Sequence, residues 1–385
     1  MRFIMIASQY FPIEDVSSLR IHSYCKSLVN AGADLTVLII YPSPKGVNLN
    51  GIHEGVRYEF VSKDYRPGIN FLAKMYLRFK GLYFICRFIS EQNIEGVLSY
   101  HDNFLTNFIV RFFTRIKSIP YIIDKTEYPY GYFKQTSFEK LFTHLNLKLF
   151  SGFIVISNEL KNFYSKFSNN VFLLPMTIDP DRFKDVDPRL NPSKYIALTF
   201  GVHNRDGLYE SVLAYHKYLQ INSEQPYHLF VIGDYTTLCK NFPECLRIAE
   251  YVQHHQLTDL INFLGKVPIS EVPKILAGAS CLLTTPSKFV SGGFPTKLGE
   301  YLLAGVPVVA TNAGEISDYV KDRFDILLSE VNDLDGVAEH ISFVQDNPVL
   351  VKTIAENGVK TAKTLFNATT YVKDLVKFIW YVKDT

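Results

Sequence analysis

The chain alternates short, uninterrupted apolar runs with longer stretches whose apolar positions recur every three or four residues. In the first half the apolar runs are Met1 to Ala7, Leu35 to Ile40, Gly96 to Tyr100, Tyr121 to Asp124, Gly152 to Ser157 and Val171 to Leu174. In the second half they are Tyr195 to Phe200, His228 to Gly233, Ile261 to Gly265, Cys281 to Thr285, Val306 to Ala310 and Asp325 to Leu328. Runs of this kind predict strands buried on both faces, as in parallel sheets. Between them the helical period predicts helices over Ser18–Asn30, across 66–90, from Gly207 to Leu219 and over Glu315–Lys321. Three more close the chain, at Leu334–Val344, Pro348–Thr364 and Ala368–Val382. Strand and helix taking turns throughout predict an α/β protein, and 385 residues exceed one ordinary core. Pro180, Pro188 and Pro192, set among charged residues, mark a linker near 180–193. The expectation is two Rossmann-like, doubly wound parallel-sheet domains, 1–180 and 194–365.

Composition agrees with a folded protein: 47% of residues are hydrophobic and 20% charged. The five cysteines are scattered, with neither CxxC spacing nor a metal-ligand pattern, so a reduced, cytoplasmic setting is expected. The first residues read as a strand rather than a signal peptide, and no apolar run approaches the roughly 18 residues of a transmembrane helix. Net charge is +2, yet it is unevenly spread. Residues 1–170 carry 20 Lys/Arg against 13 Asp/Glu, and residues 171–385 carry 20 against 25. A basic first half without a nucleic-acid motif points to an anionic surface or acceptor, and no nucleic-acid partner is expected. Five basic residues and no acidic one are interleaved with aromatics over 66–90. That stretch predicts either a basic amphipathic helix lying on an anionic membrane or a connecting helix with its aromatic stripe in the core.

Candidate chemistry gathers at strand ends. Residues 291–314 run as a glycine-rich loop with Gly292 and Gly293, then Phe294, Pro295, Thr296 and Lys297, a short helix carrying Glu300, a turn at Gly305, and a strand. Free backbone N–H groups at such a helix start suit a phosphate. Lys297 and Glu300, three apart, share a face, so one can meet a diphosphate and the other a sugar hydroxyl. A second strand–glycine–helix turn contains Gly201 and Arg205. It lacks the full GxGxxG pattern, so a dinucleotide fold is not indicated. His101 and Asp102 follow the strand ending at Tyr100; His101 either meets a ligand there or caps the next helix. Asp124 and Glu127 sit in an aromatic loop after the next strand, where they serve an acceptor or a base role, or simply cap the surface.

The run from Phe294 to Ala310 resembles the donor-nucleotide segment of GT-B glycosyltransferases, in the large family that includes bacterial mannosyl- and galactosyltransferases. The resemblance covers most of the chain and is specific over 265–314, with support at 152–179 and 199–207. It implies that Glu300 holds the ribose, that Arg205 and Lys297 grip the donor diphosphate, and that Gly265 and Lys266 lie at the base. It implies that His101 touches the transferred sugar, and that the loop holding Asp15, Ser17, Ser18 and Arg20 lies beside donor and acceptor. The family's earlier glutamate, eight positions before Glu300, is here Gly292. A terminal helix, 366–385, returning to the first domain is also implied. The expected activity is sugar transfer from a nucleotide diphosphate sugar, UDP-linked before GDP-linked, to a hydroxyl of a glycan or lipid-linked acceptor, with retention and without a metal or other cofactor. A nucleotide-sugar 2-epimerase of the same fold and a non-catalytic sugar- or nucleotide-binding protein are the alternatives. The expected location is cytoplasmic, and peripheral at the membrane if the basic stretch docks there.

Overall fold

The computed structural model describes the whole chain except residues 10, 13–15, 45, 63–69, 130–135, 187–193, 223, 288–291, 293, 295 and 385. It divides into two compact units. One comprises Met1–Ile178 with Ser291–Gly293 and Asn367–Thr385, the other Asp179–Val290 with Phe294–Phe366.

The first unit runs β1 (Arg2–Ala7), α1 (Val16–Asn30), β2 (Asp34–Ile39), β3 (Asn50–His53), β4 (Val56–Phe60) and α2 (Phe71–Glu91). It continues with β5 (Gly96–Tyr100), α3 (Phe104–Ile116), β6 (Tyr121–Lys125), α4 (Ser137–Leu147), β7 (Gly152–Val155), α5 (Asn158–Tyr164) and β8 (Val171–Leu173). The sheet order is β3-β4-β2-β1-β5-β6-β7-β8. Among the described residues only the β3–β4 hairpin is antiparallel, and its turn at Glu54-Gly55 has positive φ at both residues. β1 lies between β2 and β5 with Phe3 and Met5 fully covered, which is why its sequence shows no alternation.

The second unit runs β9 (Tyr195–Thr199), α6 (Leu208–Ile221), β10 (His228–Ile232), α7 (Tyr235–Asn241), α8 (Leu246–His254), β11 (Ile261–Gly265) and α9 (Val272–Ala277). β12 (Cys281–Thr284), α10 (Lys297–Leu303), β13 (Val308–Thr311), β14 (Leu327–Ser329), α11 (Leu334–Asp346) and α12 (Pro348–Leu365) follow. Its sheet, β11-β10-β9-β12-β13-β14, is parallel throughout. The order reverses beside β9, so the carboxyl ends of β9 and β12 form the switch point at which open α/β sheets bind ligands. The helix expected over Glu315–Lys321 is a short 3₁₀ turn, Ile316–Asp318. Asp325, at the far end of this loop, accepts from the Lys321 amide at 2.8 Å, folding the segment back into a turn.

The last helix, α13 (Ala368–Asp384), belongs to the first unit. Ala368, Val372, Leu375, Ile379 and Val382 recur at four- and three-residue steps and are all buried in that unit's core with Ile21, Tyr24 and Leu28 of α1. Trp380, on the other side, is 39% exposed with the Lys383 ammonium over its ring. Among the described residues no helix is long and apolar enough to cross a membrane.

Candidate active site

The second unit holds its charged cluster where β9, the loop after it and the start of α10 converge. α10 is fastened to the end of β9 by two residues one turn apart. The Lys297 ammonium donates to the Thr199 carbonyl at 2.8 Å, and the Tyr301 hydroxyl accepts from the Thr199 amide at 2.6 Å. The loop after Thr199 must then turn sharply into α6. It does so at Gly207, whose φ is +70° and whose Cβ, if it had one, would lie 1.8 Å from the Thr285 carbonyl oxygen. The Thr285 hydroxyl donates to the Gly207 carbonyl at 2.8 Å, pinning the same turn to the end of β12. Only glycine fits this junction.

The residue before that turn is Asp206, to which the sequence reading assigned no role. Its Oδ2 accepts from the Gly201 amide at 2.5 Å and from the Lys297 ammonium at 2.6 Å. Burial raises the Asp206 carboxyl, but Lys297, the Gly201 amide and Arg205 outweigh it and hold the group below the ordinary carboxylate range. Burial lowers Lys297, Asp206 pushes back, and the Arg205 cation adds to the lowering; the ammonium ends below its ordinary value. Half-buried Arg205 thus acts on both partners. Two cations face one carboxylate, and with 21% and 19% of their side chains exposed Lys297 and Asp206 remain within reach of a ligand. Such a cluster can hold a doubly charged anion.

Glu300, one turn into α10, is held by the Arg182 guanidinium. Arg182 stands in a short turn, Pro180–Phe183, capped by Asp179, and it also donates to the Ile269 carbonyl at 3.3 Å. In the sequence Arg182 reads as linker; the signal missed is an arginine one turn after a capping aspartate.

The remaining donor-side residues divide. Phe294 is buried, with its ring 4.9 Å from Tyr319 and 5.7 Å from Phe366, so the side chain packs rather than faces a ligand. Thr296 occupies the cap position of α10 without a side-chain cap bond. Gly265 has φ +70° and accepts from the Gly233 amide at 3.0 Å beside a β-bulge, while Lys266 is exposed. Gly293 and Pro295 lie outside the described residues.

Gly292 groups with the first unit. It accepts a short hydrogen bond, 2.5 Å, from the Ser157 hydroxyl. Its φ is +69°, and a Cβ there would stand 2.8 Å from both Tyr128 and Leu160. The position where the resembled family carries a glutamate is closed to a side chain by packing as well as by backbone conformation.

In the first unit, the expectation that Arg20 and Asp124 face an acceptor is corrected. Arg20 Nε and Nη2 donate to the two Asp124 carboxylate oxygens at 3.0 and 3.1 Å, and Nη1 and Nη2 donate to the carbonyls of Pro175 and Leu174 at 2.9 and 3.0 Å. Both side chains are almost fully buried. This pair braces α1, β6 and the strand-end chain after β8. Ser18 is buried beside it; Asp15 and the side chain of Ser17 lie outside the described residues. Asp102 is exposed and accepts from the Lys125 ammonium at 2.7 and 2.8 Å. The Lys125 ammonium beside it holds its carboxyl below the ordinary carboxylate range.

His101 does not cap α3. Asn103 does, its side chain accepting from the Thr106 amide at 3.0 Å, and His101 Nδ1 in turn accepts from the Asn103 amide at 3.3 Å. The proton therefore sits on Nε2, which is buried and has no hydrogen-bond partner among the described residues. Burial, with Lys125 in support and Asp102 opposed, lowers the imidazole to about 4, so it is neutral at pH 7. Glu127 is half-buried, and its carbonyl accepts from the Tyr164 hydroxyl at 2.9 Å.

Residues 181–361 match the family model described as Glycosyl transferases group 1. The fold is GT-B: the chain is similar to the sucrose-phosphate synthase of Thermosynechococcus elongatus, with a TM-score of 0.74 at 16% identity over 99% of both chains. It is likewise similar to HepE of Anabaena solved with UDP, with a TM-score of 0.71 at 13% identity over 99% of this chain and 100% of that one. An uncharacterized glycosyltransferase of Methanocaldococcus jannaschii is 32% identical over 117 residues, which are 30% of this chain and 32% of that protein. The matched segment thus spans about a third of the length of that curated relative.

Proposed function

We propose that the protein transfers a sugar from a nucleotide diphosphate sugar, UDP-linked by preference, to a hydroxyl of a glycan or lipid-linked acceptor. The observation that carries the reading is the Lys297–Asp206–Arg205 cluster at the switch point of the second sheet. Transfer breaks the bond between the anomeric carbon and the diphosphate, so negative charge develops on the leaving group as the sugar becomes oxocarbenium-like. A partly desolvated Lys297, aimed by Asp206 and Thr199 and helped by Arg205, is placed to meet that charge without reorganising. Glu300, held by Arg182, takes the ribose hydroxyls, and the neutral His101 offers its Nε2 proton to a hydroxyl of the transferred sugar. Side-chain cations grip the diphosphate in place of a metal ion, and the anomeric configuration is retained. HepE of Anabaena was solved with UDP and with UDP-glucose, which supports the preference for a UDP donor. A lipid-linked acceptor would place the enzyme at a membrane surface.

The deciding experiment is a thermal-shift screen with UDP, GDP and ADP followed by an assay for nucleotide diphosphate release with mixed acceptors. A ligand at 100 times its dissociation constant stabilises by about 2.7 kcal/mol. Stabilisation by UDP that is lost in Lys297→Ala supports the reading; no stabilisation by any of the three refutes it.

A further inference from the structure

α2, α3 and α4 follow consecutive rightward crossovers of the first sheet and so lie on one side of it, with α2 against α3 and α3 against α4. Each of them turns apolar residues outward. α2 is capped by Asn70, whose side chain accepts from the Ala73 amide, and its first ten residues include no buried one. At the helical repeat, Leu72, Tyr76, Phe79 and Tyr83 fall in one outward arc of about 60°, whereas Phe71 and Met75 lie on the side that buries Leu82, Cys86 and Ile89 further along the helix. Leu72, Tyr76 and Tyr83 are 74, 66 and 69% exposed. Lys80 borders this arc, about 40° beyond it.

α3 is more telling because its polarity is inverted. Its buried face includes Asn107 and Thr114, with Asn107 bonded to Asn146 and Tyr121, whereas Leu105, Phe108, Phe112 and Ile116 point outward. α4 repeats the pattern with Phe138, Leu141, Phe142 and Leu145 exposed at i, i+3, i+4 and i+7. Phe142 meets Phe104 edge-on at 5.2 Å, which joins the α3 and α4 stripes into one surface. Three adjacent helices with outward apolar stripes form a patch that a protein in water does not leave uncovered.

The charge identifies what covers it. These three helices carry seven Lys or Arg and two acidic residues, and both acidic groups are already engaged. Glu91 pairs with Arg87 at 2.7 Å, and Glu139 closes the capping box of α4 with Thr136. A second copy of this chain would set cations against cations. An anionic bilayer meets both features, with aromatic and aliphatic side chains in the headgroup boundary and lysines and arginines against lipid phosphates.

We propose that the outer face of α2, α3 and α4 docks flat on an anionic phospholipid surface. The expectation from sequence located such a contact in 66–90; the structure widens it to the two following helices, and residues 66–69 lie outside the described residues. The proposal rests on the transfer reading only for the idea that the acceptor is in the membrane. Its test needs no donor or acceptor, so either can fail alone.

The full chain is co-sedimented with vesicles of phosphatidylglycerol and phosphatidylcholine, and with phosphatidylcholine alone. Binding is expected on the anionic vesicles, at least tenfold weaker on neutral ones and weakened by salt. Phe108→Ser/Phe112→Ser and Lys80→Glu/Arg115→Glu should each reduce it roughly tenfold or more with an unchanged melting temperature, since all four side chains are at the surface. Either double variant melting markedly lower would mean that the face is packing surface and would overturn the proposal. So would absence of binding to anionic vesicles, or binding untouched by both variants. A micromolar dimer in sedimentation velocity that Phe108→Ser/Phe112→Ser dissolves would assign the face to a second copy and also overturn it.

Discussion

The Lys297 ammonium and the Asp206 carboxylate stand 2.6 Å apart, and the same carboxylate accepts from the Gly201 amide. One aspartate therefore fixes both the β9–α6 loop and the cation that the proposed chemistry needs. Removing the cation and removing its anchor should have different signatures. Lys297→Ala deletes the charge facing the leaving group and should reduce turnover on the order of 100-fold or more, with a smaller change in stability. Asp206→Asn keeps the shape but loses two charge-assisted hydrogen bonds, and should destabilise by about 2 kcal/mol as well as slow turnover. Equal and near-normal rates for both would remove the mechanism. In wild type the stability due to Asp206 should be complete above its unfolded pKa of about 4 and be lost as pH falls through the lower folded value.

Arg182 and Glu300 make a separable test. If Glu300 holds the ribose, the interaction exists in ground and transition states alike, so Glu300→Ala should raise KM for the donor several-fold with a modest change in kcat. Arg182→Ala leaves the carboxylate in place and frees its position, so its effect on KM should be smaller. UDP titration calorimetry of both variants checks the order; a larger loss in Arg182→Ala would assign donor binding to the arginine instead.

Much of this fold was legible because parallel strands buried on both faces write themselves as unbroken apolar runs, as in β1 and β13, and because helices recur between them. The Glu315–Lys321 segment misled because a three-residue turn and a helix start look alike over so short a span, and the Asp325 bond that closes the turn comes from beyond it. The site was legible in its cations and opaque in its pairing. Arg20 and Asp124 are 104 positions apart, and nothing in either local pattern says that each spends its charge on the other. Asp206 carries no local signal either, because its partner Lys297 stands 91 positions further along the chain. The outward aromatic stripes of α3 and α4 have the same period as inward ones; only the fold decides which side a stripe faces.

Gly292 offers a prediction against expectation from family likeness. Restoring the glutamate that similar enzymes carry there should not restore a sugar contact. A Cβ at this position meets Tyr128 and Leu160 at 2.8 Å, and φ of +69° disfavours any side chain. Gly292→Glu should therefore lower both melting temperature and transfer rate. A gain in activity would show that the loop can move aside, and that the donor sugar is read from this position after all.

His101 links burial to pH. Its folded pKa of about 4 lies below the unfolded value of about 6.5, so the unfolded chain binds the extra proton first as pH falls. Its contribution to stability is then full above pH 6.5 and disappears on the way down to about 4, with a span of up to about 3 kcal/mol. Many carboxylates titrate in the same range, so the informative quantity is a difference. Wild type minus His101→Asn, measured by denaturant unfolding of the first transition at each pH, should slope upward from pH 4 to 6.5 and be flat above. A flat difference throughout would mean that the imidazole is solvated, and would withdraw its Nε2 proton as a donor to the transferred sugar.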